Sequence, residues 1–373
     1  MRKTSLLSRL PLLMLLLFAN CLLPAVGAGS VRAAKGQPQG QTQSQTQGQT
    51  QSQTQGQPQG QAQGQPQGQM QGQAQVCRLA YTAKGYYAPQ FLAMRKGWFE
   101  ADGVKVQEVN LGMSAGVAGA EALVSGSADV AVMGDVPALI ALASDRDCVL
   151  IGAYGGGEKM HSIMTGEKSG ITSPADLRGK RLGVQFGSST HGAVYLYLKA
   201  QGVNPADVTL VNISQKELIE ALIAGSIDAL AASEPTPTLT LEKVPGSREL
   251  ANLSGLGNDY PLLIVASRAY ADAHPEAIQA VVDGTARAVA FINADPVTAG
   301  TETAAVTGAP AALETGMFRK MEWRLRLDDQ TLKSLGITAE FLHSIGKLKK
   351  IPDLEARSRP QFVQRAVGSH QGR

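Results

Sequence analysis

The sequence predicts an α/β protein of two lobes, each a mainly parallel sheet flanked by helices, with a disordered linker in front. Three observations lead there. From Cys77 onward, short apolar strands alternate with helical stretches, the pattern of βαβ units on a parallel sheet. The stretch EALVSGSADVAVMGD, from Glu121, nearly repeats as EALIAGSIDALAASE, from Glu220, so one helix–turn–strand unit is written twice. The 373 residues exceed one ordinary core and suffice for two lobes with extras.

The first segment belongs to no fold. Arg2, Lys3 and Arg9 precede the apolar run LPLLMLLLFANCLLPAV, and V-G-A ending at Ala28, or V-R-A ending at Ala33, suits a signal peptidase. Residues 1–28 therefore read as a secretory signal, and the protein as periplasmic or extracytoplasmic. Cleavage there removes three basic and no acidic residues, so the formal charge of +3 falls to zero. That leaves no electrostatic case for nucleic acid or a membrane surface. Cys21 lies within the signal; as a lipidation site it would need F-A-N as its lipobox, and lipidation or removal with the signal both stay open. Residues 29–76 form a Gln/Gly-rich linker that can bury no apolar area.

The folded part then reads in order. CRLAYT is a strand, YAPQFLAMRKGWFEADG a helix closed by Gly103, and VKVQEVNL a strand. AGVAGAEALVSGS is a helix, DVAVMG a strand, PALIALASDRD a helix and CVLIGAYGG a strand. After Thr165 the pattern restarts with ADLRG, the strand RLGVQF and the helix STHGAVYLYLKAQG. The strand VTLVNI, the helix QKELIEALIAGS and the strand DALAAS follow. PLLIVAS is a returning strand, and the rest is helical, punctuated by DGT, NADP and TGAP. Lobe I is expected at 77–165 and 262–373 and lobe II at 166–261, with hinges near Met164–Gly166 and Tyr260–Leu262.

Ligands of open parallel sheets bind beyond the carboxyl ends of the strands. In the two copies of the repeat those ends carry Gly134-Asp135 and Ser233-Glu234. Gly187, Ser188, Ser189 and Thr190 follow RLGVQF and open a helix, where unpaired N–H groups and hydroxyls suit an anion, or where Ser simply caps. His191 follows, as a donor or a packing residue. Lys84, Gly85, Tyr86 and Tyr87 occupy the loop after the first strand, and Tyr154 the end of CVLIGAYGG. The tyrosines can stack on or hydrogen-bond a ligand, or pack at a helix entry. The five histidines show no ligand spacing, so no metal or other cofactor is expected. Cys77 and Cys148, each at a strand start, are left open between a disulfide and two separate core residues.

The run YYAPQFLAMRKGWFEADGVKVQEV, EALVSGSADVAVMGD, SPADLRGKRLGVQFGSST and ASEPTPT resembles the substrate-binding proteins of ABC importers for nitrate, alkanesulfonates, taurine and thiamine-precursor pyrimidines. The resemblance covers about Leu79 to Ala366. It implies a hinged, type II-like periplasmic-binding-protein fold that acts as a monomer and delivers a small molecule to a permease and its ATPase. It also implies ligand contacts at Lys84–Tyr87, Gly134-Asp135, Gly187–Thr190 and Glu234. Where relatives place an aromatic beside that acid, this chain has Ser233 and Thr236. The expected ligand is a sulfonate or taurine-like solute, its anion on Ser188–Thr190 and its amine on Asp135 or Glu234. A pyrimidine, or presentation to a signalling receptor, is the alternative. Fungal pyrimidine synthases resemble the fold but carry a cysteine cluster absent here, so a binding protein is expected, not an enzyme.

Overall fold

The computed structural model describes residues 74–101, 103–111 and 116–370. The expected signal, Cys21 and nearly all of the linker lie outside them. The ten strands among the described residues are β1 (Gln75–Tyr81), β2 (Val104–Asn110), β3 (Val130–Met133), β4 (Cys148–Gly155), β5 (His161–Thr165), β6 (Arg181–Val184), β7 (Thr209–Asn212), β8 (Ala229–Ser233), β9 (Arg248–Asn252) and β10 (Leu262–Ser267). They form two sheets, ordered β2-β1-β3-β10-β4 and β7-β6-β8-β5-β9. Four strands of each sheet run one way, and one runs against them: β10 in the first and β5 in the second. This is a two-lobed periplasmic-binding-protein fold.

The repeat occupies equivalent places, because β3 and β8 are the middle strands of their sheets. Both are buried along their whole length, as apolar strands under helices on both faces require. Gly126 and Gly225, at φ +78° and +68°, end the preceding helical segments in the left-handed conformation. The repeated Asp has a repeated partner. Asp129 accepts from the Arg78 backbone N–H at 2.9 Å and its guanidinium at 2.6 Å; Asp228 accepts from Arg181 at 2.8 Å in both ways. Each clamp fixes the entry of the neighbouring strand, and Arg181 holds the Asp228 carboxyl below the usual carboxylate range.

Several expected boundaries move. β1 begins at Gln75, so the last residues assigned to the linker are strand. The first helix spans Ala88–Arg95 and stops at Gly97, φ +66°, not at Gly103. There the Trp98 N–H reaches Ala93 O at 2.9 Å, a Schellman closure that turns Phe99 into the core. Phe99 lies against Gly284, inside the uninterrupted helix Pro275–Ala294 that was expected to break at DGT. A Cβ on Gly284 would overlap the Phe99 ring and come within 2.8 Å of Trp98 O. Gly284→Ala is therefore expected to destabilise by about 1–3 kcal/mol, read as a lower urea midpoint. NADP and TGAP do break the helical run, through the Asp295 cap and Gly308 at φ +73°.

The chain first crosses between the sheets before β5, at residues 156–160, and returns at 253–261. The expected Met164–Gly166 crossover falls instead within and just after β5, which pairs with β8 and β9 of the second sheet. The crossing segments run side by side: Gly157 N–H donates to Asp259 O at 2.6 Å, and Leu253 N–H to His161 O at 2.9 Å. Tyr260 holds φ +43°, a left-handed conformation costing about 1–3 kcal/mol in a bulky residue. Its N–H bonds Asn258 Oδ1 at 2.8 Å and its hydroxyl bonds Leu253 O at 2.9 Å, which fixes it there.

Cys77 and Cys148 are free and buried. They sit on β1 and β4, with β3 and β10 between them. Three strand spacings amount to about 14 Å, beyond the roughly 7 Å a bridge tolerates. Burial pushes the Cys77 thiol up to about 12. Both cysteines are expected to resist a thiol reagent until the protein unfolds, as peptide mass spectrometry of the labelled chain would show.

Candidate functional site

The carboxyl ends of β1, β3, β6 and β8, with the entry ends of the reversed β5 and β10, converge on a cavity of about 60 Å³. A larger chamber of about 660 Å³ lies against it and shares Lys84, Val117 and Gln215 in its wall. The first lobe contributes Lys84, Tyr86, Tyr87 and Gly134 to the inner cavity, and the second contributes Ser188, Ser189, Thr190 and Ser233. Gly85 lines the outer chamber.

Lys84 follows β1 and reaches across to the second lobe, where its ammonium donates to Gln215 Oε1 at 3.0 Å. Gln215 is itself held by its amide, which donates to Ser233 O at 2.8 Å and Ser233 Oγ at 2.9 Å. Among the described residues no carboxylate pairs with Lys84, and burial lowers its pKa to about 8. Among the described residues no Asp or Glu lines the inner cavity.

Ser188 is the N-cap of the helix Ser189–Ala200, its hydroxyl accepting the His191 N–H at 3.3 Å. The cap satisfies one of the orphan donors of the first turn. Among the described residues the N–H groups of Ser189 and Thr190 have no partner, and both residues line the cavity. The Thr190 hydroxyl sits 2.9 Å from His161 Nδ1. His161 Nε2 is buried without a partner in the cavity wall, and burial drops this imidazole's pKa to about 3, so it is neutral. Tyr86 donates to Met160 O at 3.3 Å, and burial raises the phenols of Tyr86 and Tyr87, which stay protonated.

The remaining expected residues stand behind this wall. Asp135 accepts from Thr338 Oγ1 at 2.7 Å, from the Val136 N–H at 2.8 Å and from the Ser189 hydroxyl, and burial raises its pKa. It joins the lobes but does not line the cavity. Glu234 pairs with Lys320 at 2.5 Å and accepts from Thr238 Oγ1 at 2.8 Å, so its charge is met across the lobes as well. Tyr154 is fully buried and donates to Tyr86 O at 3.2 Å, supporting the loop from beneath. Gly187 provides the φ +75° turn before the cap. His191 stacks on Phe186 at 4.6 Å and packs edge-on to Tyr195, and burial together with Lys347 lowers its pKa to about 4.

His161, Gln215 and Tyr260 also line the cavity, and sequence reasoning had not singled them out. One signal for His161 was available: MHSIMT is a short run of strand length, with β-branched Ile163 and Thr165 and no Gly or Pro, bounded by the glycines of GAYGGG and by Gly166, just before the expected restart of the pattern. Gln215 opens a short 3-10 turn at the carboxyl end of β7, where periodicity says nothing.

An aliphatic sulfonates-binding protein of Bacillus subtilis (strain 168) is 27% identical over 195 residues, 51% of this chain and 58% of that protein. One from Escherichia coli (strain K12) is 31% identical over 162 residues, 43% of this chain and 50% of that one. The chain thus spans about half the length of the curated relatives it matches. Among solved structures, the alkanesulfonate-binding protein SsuA from Xanthomonas axonopodis pv. citri, bound to MOPS, superposes with a TM-score of 0.68 at 27% identity. That superposition covers 76% of this chain and 98% of SsuA. Residues 84–299, which contain nearly the whole cavity wall, match the NMT1/THI5-like family, and the chain belongs to that family.

Proposed function

We propose that this protein is the exported solute-binding component of an ABC importer, capturing an organic sulfonate between its lobes and delivering it to a membrane permease driven by an ATPase. One observation carries the reading. Lys84, whose ammonium has no counter-charge, Ser189 and Thr190, whose backbone N–H groups are partnerless, and His161, whose Nε2 is unpartnered, line one small cavity with no carboxylate in its wall, all among the described residues. Such a set suits an oxyanion with several acceptor oxygens. A helix terminus supplies only about 0.3–2 kcal/mol, whereas micromolar affinity needs roughly 8 kcal/mol. The rest comes from Lys84 and from closure of the second lobe about the paired crossovers, which act as the hinge.

The size of the inner cavity fits a head group alone, so the organic part of the ligand extends into the outer chamber. The reading is one of capture, since the groups around the anion are donors and the thiols of Cys77 and Cys148 are buried in the first sheet. The sulfonate-binding relatives support the substrate class. Calorimetric titration against pentanesulfonate, taurine, nitrate and a hydroxymethylpyrimidine tests it. A sulfonate binding in the micromolar range, with nitrate and pyrimidine at least about a hundredfold weaker, is the expected result. Tight binding of the pyrimidine or nitrate with no response to either sulfonate would overturn it.

A further inference from the structure

The outer chamber holds an acidic side chain that the sulfonate site does not use. Glu314, on the helix Ala311–Lys320, is 3% exposed and lines the chamber. Its Oε1 accepts from Thr307 Oγ1 at 2.6 Å. Its Oε2 lies against Gly85, where a Cβ would overlap it, so the absence of a side chain at Gly85 lets the carboxyl sit directly beside the Lys84 loop. No ion pair reaches Glu314 among the described residues. The acids after β3 and β8 are more fully occupied: Glu234 pairs with Lys320 and accepts from Thr238, and Asp135, although also without an ion pair, accepts from Thr338, Val136 and Ser189. A carboxyl that is buried, held by a single hydroxyl and open to a chamber of ligand size is a receptor for a cation.

We infer that Glu314 receives an ammonium group at the far end of the ligand, so that the preferred solute is an aminoalkanesulfonate whose charged ends occupy the inner cavity and the outer chamber. The inference rests on the sulfonate reading of the inner cavity. It assigns the amine end to Glu314, on the C-terminal helices, and not to the acids that follow β3 and β8. Glu121, exposed, lines the same chamber, as do the cations Lys84 and Lys216. A hydrogen bond to a charged group contributes enough for about a tenfold or larger preference.

The test compares aminobutanesulfonate with pentanesulfonate, which differ by an ammonium in place of a terminal methyl, by titration calorimetry on the wild-type protein and on Glu314→Gln. The wild type is expected to prefer the amino compound at least about tenfold, and the variant to bring the ratio close to one. Gly85→Ala, which pushes the Glu314 carboxyl aside without changing charge, is expected to reduce the ratio too. Equal wild-type affinities for the two sulfonates, or a preference that survives Glu314→Gln, would overturn the Glu314 assignment and leave the sulfonate site standing. Failure of the wild type to bind either sulfonate would overturn both. Should Glu314→Gln fold poorly, Gly85→Ala, on a different segment, gives the deciding reading: a preference that it leaves intact overturns the Glu314 assignment.

Discussion

Replacing Asp259 with Ala is expected to cost about 3–5 kcal/mol of stability. Asp259 lies in the return crossover, 7% exposed, and pairs with Arg326, which is 9% exposed; Ser334 donates to the same carboxyl. Its carbonyl also accepts the Gly157 N–H of the other crossover at 2.6 Å. Truncation leaves the Arg326 guanidinium buried without a counter-charge, a far larger penalty than the net contribution of the intact pair. Arg326 in turn bonds Ala153 of β4 through its backbone, so the loss spreads to the edge of the first sheet. Urea denaturation followed by circular dichroism checks this. A loss under about 1 kcal/mol would show that water reaches Arg326 and that the crossover is not anchored by this pair.

The second large effect concerns Lys84. Removing one partner of a buried, hydrogen-bonded charge pair costs about 2–5 kcal/mol, so Lys84→Met should weaken sulfonate binding at least about 30-fold. The same residue sets a pH dependence. Its pKa in the unliganded protein is lowered to about 8 because burial penalises the ammonium. A bound anion favours the protonated form, so affinity should be flat below about pH 8 and fall as the pH rises beyond it. Stability without ligand moves oppositely: between about 8 and the ordinary Lys value the unfolded chain binds more protons, so this residue's contribution rises with pH. Titrations from pH 6.5 to 9.5, values about 1.5 units either side of about 8, separate the two signs, and Lys84→Met should flatten both curves.

The repeat beginning at Glu121 and Glu220 placed two equivalent strands correctly because an apolar strand between a glycine turn and an acid has few other uses. The clamps at Asp129 and Asp228 and the residues beyond each strand follow from that equivalence. Residues close in sequence to a strand end, such as Lys84, Tyr86, Ser189 and Thr190, were legible as cavity residues for the same reason. What was not legible came from distant chain. The partners that occupy Asp135 and Glu234, Thr338 and Lys320, lie on the C-terminal helices, over 80 residues away along the chain in each case. β5 and β9 escaped notice: β5 follows β4 with only a short 3-10 turn between them, outside the βαβ rhythm, and β9, RELAN, is a largely polar strand with no fully buried residue. The crossover was misplaced by the length of β5.

The most direct measurement is a crystal structure of the protein with pentanesulfonate. The account predicts sulfonate oxygens within hydrogen-bond distance of the Ser189 and Thr190 N–H groups and of Lys84 Nζ, with the alkyl chain directed past Gly85 into the outer chamber. A sulfonate bound elsewhere, or one reversed so that its alkyl chain fills the inner cavity, would contradict it.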